Sequence, residues 1–328
     1  MPGTRLDVLA IGDAVVDVIA DAEEGFLVEE RLVKGSMQLL DAGQATRLYE
    51  KMGPARETSG GSAANTVSGI AAMGGRAGFV GQVAKDQLGE VFTHDIRAHG
   101  VEFETPPIDG GLPTGRCLIL VTPDAQRTMN TFPGAAHQLS AQALDEEQIR
   151  GAAILYLEAY LWRAEGPREA MRAAIRIARA AGRKVALTLS DIACIGRHRA
   201  DFLGLIEGGE IDMLFANEAE LRSLAEEEDF DSALGRFEGK VPVIVVTCSE
   251  KGAIALEGGR RVEVPAAPVA KVVDTTGAGD LFAAGVLAAL ARGRSIEDSL
   301  RTGAIAAAEV ISHYGARPEA DLKALVRL

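Results

Sequence analysis

Short apolar, β-branched runs recur along the chain and alternate with stretches whose apolar residues keep a helical period. The runs are VLAIG (8–12), AGFVGQV (77–83), CLILVT (117–122), AILYLEA (153–159), KVALTLS (184–190), DMLFA (212–216) and PVIVVTC (242–248). A typical intervening stretch is PREAMRAAIRIARAAG (167–182), where one apolar stripe repeats and Gly182 stops the helix. Strand, helix, strand at this rhythm predicts right-handed crossovers. The expected fold class is therefore α/β, a central, mostly parallel sheet flanked by helices. Near the C-terminus, GDLFAAGVLAALARGRS and then EDSLRTGAIAAAEVISH predict two helices in succession.

Two regions break the rhythm. Residues 17–59 are acidic and irregular, and 112–133 alternate, as in RTMNTF (127–132), like a short antiparallel ribbon. The pattern predicts that these two pair into a small β-sheet projecting from the main one. Residues 1–16, 60–111 and 134–328 then form the large domain, and 17–59 and 112–133 the small one. No internal repeat or low-complexity tract interrupts this plan.

Composition narrows the function classes. A chain of 328 residues can bury a large core, and 47% apolar with 25% charged residues is ordinary for a globular protein. The net charge of −13 excludes a broad nucleic-acid or acidic-membrane footprint, which needs a basic face. A local pocket for a small anion remains compatible with it. Cys117, Cys194 and Cys248 are scattered and odd in number, so no disulfide framework is expected and a reducing compartment is. The N-terminus turns acidic too early for a signal peptide, and no apolar stretch reaches membrane length. A soluble, cytoplasmic protein is expected.

Candidate chemistry concentrates in KVVDTTGAGDLFAAGVLAAL (271–290), where an apolar run ends, two glycines follow and a helix begins. In an open parallel sheet, ligands bind beyond the carboxyl ends of strands, where helix N-termini point at them. TTGAGD offers consecutive backbone N–H groups and a helix dipole there, which suits an oxyanion or phosphate. The alternative is that Gly277 and Gly279 only shape a turn and Asp280 complements the dipole. SGGSAANTVSGIAAMG (59–74) likewise sets small residues before a helix. NEAEL (217–221) reads first as a capping box, with Asn217 as N-cap and Glu220 three residues on. Asp13 and Asp17 follow the first strand in IGDAVVD. There is no GxxxxGK[ST] loop and no GxGxxG after the first strand, and the five histidines show no ligand spacing. The missing glycine fingerprint weakens an NAD-dependent oxidoreductase.

Taken in order, IGDAVVD, GGSAAN, NEAE and DTTGAGD resemble the ribokinase-like (PfkB) family of carbohydrate and nucleoside kinases, over nearly the whole chain. DTTGAGD is the most specific of the four. The resemblance implies an ATP-dependent phosphotransferase with a large α/β domain and a small β-sheet lid. Asp280 then corresponds to the base that takes the proton of the attacking hydroxyl. Gly277, Ala278 and Gly279 correspond to the anion hole around the transferred phosphoryl group. Asn217 and Glu220 match the NxxE motif, which organises Mg²⁺ through its waters. Thr247, Ser249 and Gly252 match the adenine-nucleotide end. Asp274 and Thr276 lie where some relatives bind a monovalent cation such as K⁺.

Within the family, three features resemble adenosine kinases. The gap between Asp17 and Gly60 is long, the motif reads GGSAAN, and PDAQRTMNTF places Arg127 as a lid arginine that contacts phosphate. By that resemblance Asp17 binds the ribose diol, and Gly60, Gly61, Ser62 and Asn65 complete the sugar site. Asp13 stands where adenosine kinases commonly have Asn, a carboxylate that cannot donate as an amide does. Aromatic residues are few, at 5%, and Tyr160 and Trp162 are the candidates to stack on a purine, with a core role open for either. The expected activity is conversion of adenosine to AMP by a monomer or homodimer. A sugar kinase of the same family, or a nucleotide-binding sensor on its fold, are the alternatives. Asp280 argues against the sensor, which needs no base.

Overall fold

The computed structural model describes residues 4–124 and 126–327. Its strands are β1 (Leu6–Ile11), β2 (Val15–Asp21), β3 (Met37–Leu39), β4 (Arg56–Gly60), β5 (Ala77–Val80), β6 (Glu102–Phe103) and β7 (Gly115–Val121). They continue with β8 (Arg127–Phe132), β9 (Ala152–Glu158), β10 (Lys184–Thr188), β11 (Met213–Asn217), β12 (Val243–Thr247), β13 (Ala253–Glu257) and β14 (Arg260–Val264). The larger sheet has the order β14-β13-β12-β11-β10-β9-β1-β5-β6. From β12 to β6 all pairs are parallel, whereas β13 and β14 add an antiparallel edge.

The central strands are buried on both faces, as a sheet with helices on each side requires. In β9, Ile154 and Tyr156 enter one core while Leu155 and Leu157 enter the other. In β12, Val245 and the pair Ile244 and Val246 divide in the same way. The helices are α1 (Glu24–Glu29), α2 (Ala42–Lys51), α3 (Ser62–Ala72), α4 (Gln87–Ala98), α5 (Glu146–Arg150) and α6 (Glu165–Ala180). After them come α7 (Ile192–Glu207), α8 (Glu218–Ala225), α9 (Phe230–Gly235), α10 (Ala278–Ala291), α11 (Ile296–Val310) and α12 (Leu322–Val326). Side chains of α3, α10 and α11 pack in the first core, those of α6, α7 and α8 in the second. Both expected C-terminal helices are present. The helix expected at 167–182 runs from Glu165 to Ala180, with Gly182 at φ 69° just beyond it.

A second sheet has the order β3-β8-β7-β2-β4. β7 and β8 form the antiparallel ribbon, and β2 pairs parallel with β7 and antiparallel with β4. Its two faces differ. Val16, Val18, Leu118 and Leu120 join Leu27 and Leu48 in the core, while Val15, Asp17, Cys117 and Ile119 point the other way into a cavity. Period-two alternation sorts these residues, so a one-residue register slip would expose the core set. The region 17–59, irregular in pattern, contributes β3, β4 and two short helices.

Candidate active site

One cavity of about 580 Å³ lies between the carboxyl ends of the large sheet's strands and the inward face of the small sheet. Its walls include Asp13, Asp17, Gly61, Ser62, Asn65, Asn217, Glu220, Thr247, Gly277, Gly279 and Asp280, the greater part of the residues expected from sequence. The tertiary fold thus joins stretches more than 200 residues apart.

Asp280 stands in the first turn of α10. Its Oδ1 accepts from Ser62 Oγ at 2.6 Å and its Oδ2 from Asn65 Nδ2 at 2.9 Å. Burial pushes its pKa above the ordinary carboxylate range, opposed by those two donors and the Arg317 charge. A carboxylate shifted in this direction holds a proton better while remaining an acceptor, as a general base requires.

Both glycines of the turn line the cavity, and each is required there for a different reason. Gly277, the N-cap of α10, has φ 78°, and a Cβ on it would lie 2.6 Å from Ala316 Cβ. The protein itself therefore demands glycine there. Gly279 has open space where its Cβ would stand, so its backbone faces the cavity bare. The first N–H groups of a helix have no intrahelical acceptor; in α10 that of Ala278 donates to the Thr275 carbonyl at 3.2 Å, and Gly277 and Gly279 on either side of it line the cavity.

Asp17 lies on β2 with its carboxylate against Gly60, where an added Cβ would come within 2.3 Å of Asp17 Cγ. Its pKa is pushed up to about 6 by burial, against the charges of Arg317 and Arg127, with Asp280 adding to the rise. Asp13 is buried, and its Oδ1 has no hydrogen-bond partner among the described residues; His137 Nε2 is 3.8 Å away.

At the other end of the cavity, Asn217 and Glu220 form the complete capping box. Asn217 Oδ1 accepts from the Glu220 N–H at 2.8 Å, and Glu220 Oε2 accepts from the Asn217 N–H at 3.0 Å. A further bond joins Asn217 Nδ2 to Glu220 Oε1 at 2.8 Å. Both carboxylate oxygens are thus engaged, and burial pushes the pKa of Glu220 up to about 6. Capping and cavity lining coexist in the same residue. Among the described residues no group of three or more His, Cys, Asp and Glu side chains could hold a metal directly. The donors present are all hard oxygens, with Asp191 also on the wall, and they fit a hydrated Mg²⁺ held through its waters.

Other expectations change. Arg127 does not line the cavity. It makes a buried ion pair with Asp274 (Nη2–Oδ2 2.7 Å), and its ring neighbour is Tyr314. Asp274 also accepts from Thr276 and from the Gly315 N–H. Ser249 and Gly252, at φ 52° and 103°, shape the turn between β12 and β13, and only Thr247 of that trio reaches the cavity wall. Of the two roles open to Trp162, stacking or core, the fold gives it the core. It is fully buried against Phe202, and its ring N–H donates to Asp201. Tyr160 lines the cavity, its hydroxyl donating to the Ser190 carbonyl.

Glu158, Arg163 and Arg317 are among the residues of the site that escaped the sequence reading. Glu158, at the end of β9, is completely buried and accepts from the backbone N–H of Ala63 (2.6 Å) and of Asp13 (3.2 Å), joining β1 to α3. Burial, and then the charge of Asp13, holds its pKa well above the usual range. A carboxylate closing an otherwise apolar strand was the available signal. Arg163 pairs with Asp191 at 2.8 Å on the cavity wall. Arg317 had no signal, since its partners are remote in sequence.

The profile of the pfkB family of carbohydrate kinases matches residues 6–322. The chain belongs to that family. This pfkB kinase is therefore a phosphotransferase that acts on an alcohol and uses ATP. It is similar to an adenosine kinase structure from Sinorhizobium meliloti, at 47% identity and TM-score 0.92, covering 98% of this chain and 99% of that one. It is also similar to a probable sugar kinase from Rhizobium etli CFN 42, at 44% identity and TM-score 0.93, covering 99% and 98%. A fructokinase from Klebsiella pneumoniae is 26% identical over 294 residues, 88% of this chain and 86% of that protein. Among the described residues no helix of the kinase is long and apolar enough to cross a membrane.

Replacing Glu220 by Gln separates its two roles. The amide loses one of the two bonds from Asn217, so stability should fall by about 1 kcal/mol. If Glu220 also holds Mg²⁺ waters, the Mg²⁺ concentration for half-maximal activity should rise severalfold. An unaltered Mg²⁺ dependence would leave Glu220 as a cap alone.

Proposed function

We propose that this pfkB kinase transfers the terminal phosphoryl group of ATP to the 5′-hydroxyl of a nucleoside, adenosine foremost. The carrying observation is the wall opposite Asp280. Met37, Leu39, Ile119, Met129 and Val15 present an apolar surface from the small sheet, and Met37 and Leu39 remain 39% and 43% exposed. A free sugar, ringed with hydroxyls, gains nothing from such a wall, whereas a purine face does. The adaptable thioethers of Met37 and Met129 suit a flat ring, and Tyr160, Phe215 and Phe282 are aromatic residues on the wall of the same cavity. The likeness to the Sinorhizobium meliloti adenosine kinase supports the same reading.

In this reading the small sheet is a lid. Asp17 accepts hydrogen bonds from the ribose diol, with Gly60, Gly61, Ser62 and Asn65 around the sugar and Asp13 beside it. Asp280 accepts the proton of the 5′-hydroxyl as the oxygen bonds to phosphorus and the bond to ADP breaks. The N–H groups of Gly277 and Gly279, the two residues of the turn that line the cavity, face the phosphoryl oxygens and stabilise the charge that develops on them, while the Ala278 N–H donates to the Thr275 carbonyl and holds the turn. Asn217 and Glu220 hold the hydrated Mg²⁺, which offsets phosphate charge when bound. Arg127 stays beside the turn through Asp274.

A sugar kinase is the second reading, favoured by Asp13 Oδ1. This buried acceptor lacks a hydrogen-bond partner among the described residues, and a sugar hydroxyl would supply one. A coupled assay with Mg·ATP across adenosine, other nucleosides, ribose and fructose decides between them. Burial of the base is worth roughly 3 kcal/mol, so adenosine should exceed ribose by about 100-fold in kcat/KM. A free sugar that outperforms every nucleoside would overturn the acceptor and leave Asp280 in place.

A further inference from the structure

The segment Gly315–Arg317, outside every motif, touches both the anion turn and the 59–65 turn. The Gly315 N–H donates to Asp274 at 2.9 Å, and Ala316 packs against the Cα of Gly277. Arg317 Nη1 donates to the Ala64 carbonyl at 2.8 Å. Its Nη2 donates to the Ser59 carbonyl at 2.6 Å and to Ser59 Oγ at 2.8 Å. Those acceptors bracket the residues that matter. Ser59 precedes Gly60, on which Asp17 rests, and Ala64 lies between Ser62 and Asn65, the two donors to Asp280. Asp95 Oδ2 accepts from the N–H and Oγ of the same Ser59, so the anchor is itself anchored.

We propose that Arg317 is a positioning residue for phosphoryl transfer, clamping the 59–65 turn, which carries Gly60 against Asp17 and the two donors to Asp280, against the anion turn. The clamp rests on the planar fork, which spans acceptors on two sides of Gly60 and Gly61 as a flexible ammonium would not. The charge acts on a crowded set. Asp17 senses Arg317, Arg127 and Asp280, with the Cys117 thiol beside it. Asp280 senses Arg317 and, around it, Glu158, Tyr156, Tyr160 and Asp17. Asp95 and His99 lie on the far side of Arg317, and Asp95 adds to the charges that favour its protonated form. Arg317 is the cation shared by both site carboxylates. It stands in for the water that a half-closed cavity excludes, and its removal leaves two like charges facing each other.

The inference rests on the proposed roles of Asp280 and Asp17, and the experiment keeps the two apart. The pH profile of kcat/KM is measured for native kinase, Arg317→Gln, Arg317→Lys and Asp280→Asn, with folding followed by melting. Arg317→Gln should move the acid limb upward by about one pH unit, the usual effect of losing a neighbouring opposite charge. Arg317→Lys keeps the charge and loses the fork, so its limb should stay at the native pH while kcat falls about tenfold. A folded Arg317→Gln with an unmoved limb and a pH-independent loss would overturn the electrostatic part. If Gln does not fold, Lys carries the test, and native kcat in that variant would overturn the clamp. Inactive Asp280→Asn beside either overturning result condemns this inference alone. Near-native Asp280→Asn condemns the assignment of the base instead.

Discussion

Asp280→Asn is expected to lower kcat by roughly 10²–10⁴ while ATP binding and melting temperature stay close to native. The amide is nearly isosteric, and its oxygen still accepts one of the two bonds now made by Ser62 and Asn65. What disappears is the lone pair able to take a proton. Its amide N–H₂ also faces one of those donors, so a stability loss of about 1 kcal/mol accompanies the change. Single-turnover rates with saturating adenosine and Mg·ATP, alongside thermal melts, measure both effects. Near-native turnover would remove Asp280 from the chemistry and restore the simpler role of a first-turn carboxylate complementing the helix dipole.

Asp17→Ala should lower kcat/KM for adenosine by roughly ten- to a hundredfold. It should also shrink the difference between adenosine and 2′-deoxyadenosine. Hydrogen bonds to a charged acceptor are worth about 1.5–3 kcal/mol each, so native kinase should already disfavour the deoxynucleoside by about that factor. Once the acceptor is gone, the missing hydroxyl has nothing to lose. The same group sets a pH dependence. With its pKa near 6, Asp17 is ionised above that value and protonated below it. Recognition of the diol should therefore be intact at pH 8 and fade as pH falls through about 6, since a protonated carboxyl accepts less well. An undiminished preference for adenosine in Asp17→Ala would place the diol elsewhere in the cavity.

How the site was legible in sequence follows from its parts. Asp280, the glycines of the turn, Asn217 and Glu220 sit at junctions where a strand ends and a helix begins. Such junctions carry local signals of small residues, caps and period change. They could be read one by one because each is formed by neighbours in the chain. Alternation in 112–133 showed a ribbon apart from the main sheet, for the same reason of local period. The antiparallel edge β13 and β14 left no such mark, since its pairing partner, β12, is itself indistinguishable from a parallel strand by pattern. Trp162 and Tyr160 are two residues apart, yet one is sealed against Phe202 and the other lines the cavity. Their sequence neighbourhood does not distinguish them.

Local chemistry, then, is what the sequence by itself determined: alternating strands and helices, an anion-suited turn at the head of α10, a capped helix after β11, carboxylates following β1. Each depends on interactions within a few residues. Only the tertiary structure decided which of these meet. It set Ser62 and Asn65 on Asp280 and closed Arg127 onto Asp274 rather than into the cavity. It buried Glu158 between β1 and α3, and it brought Arg317 to the 59–65 turn across more than 250 residues. Burial and electrostatics are properties of these long-range contacts. The raised pKa values of Asp17 and Asp280 arise from desolvation and from charges that no single stretch of chain contains.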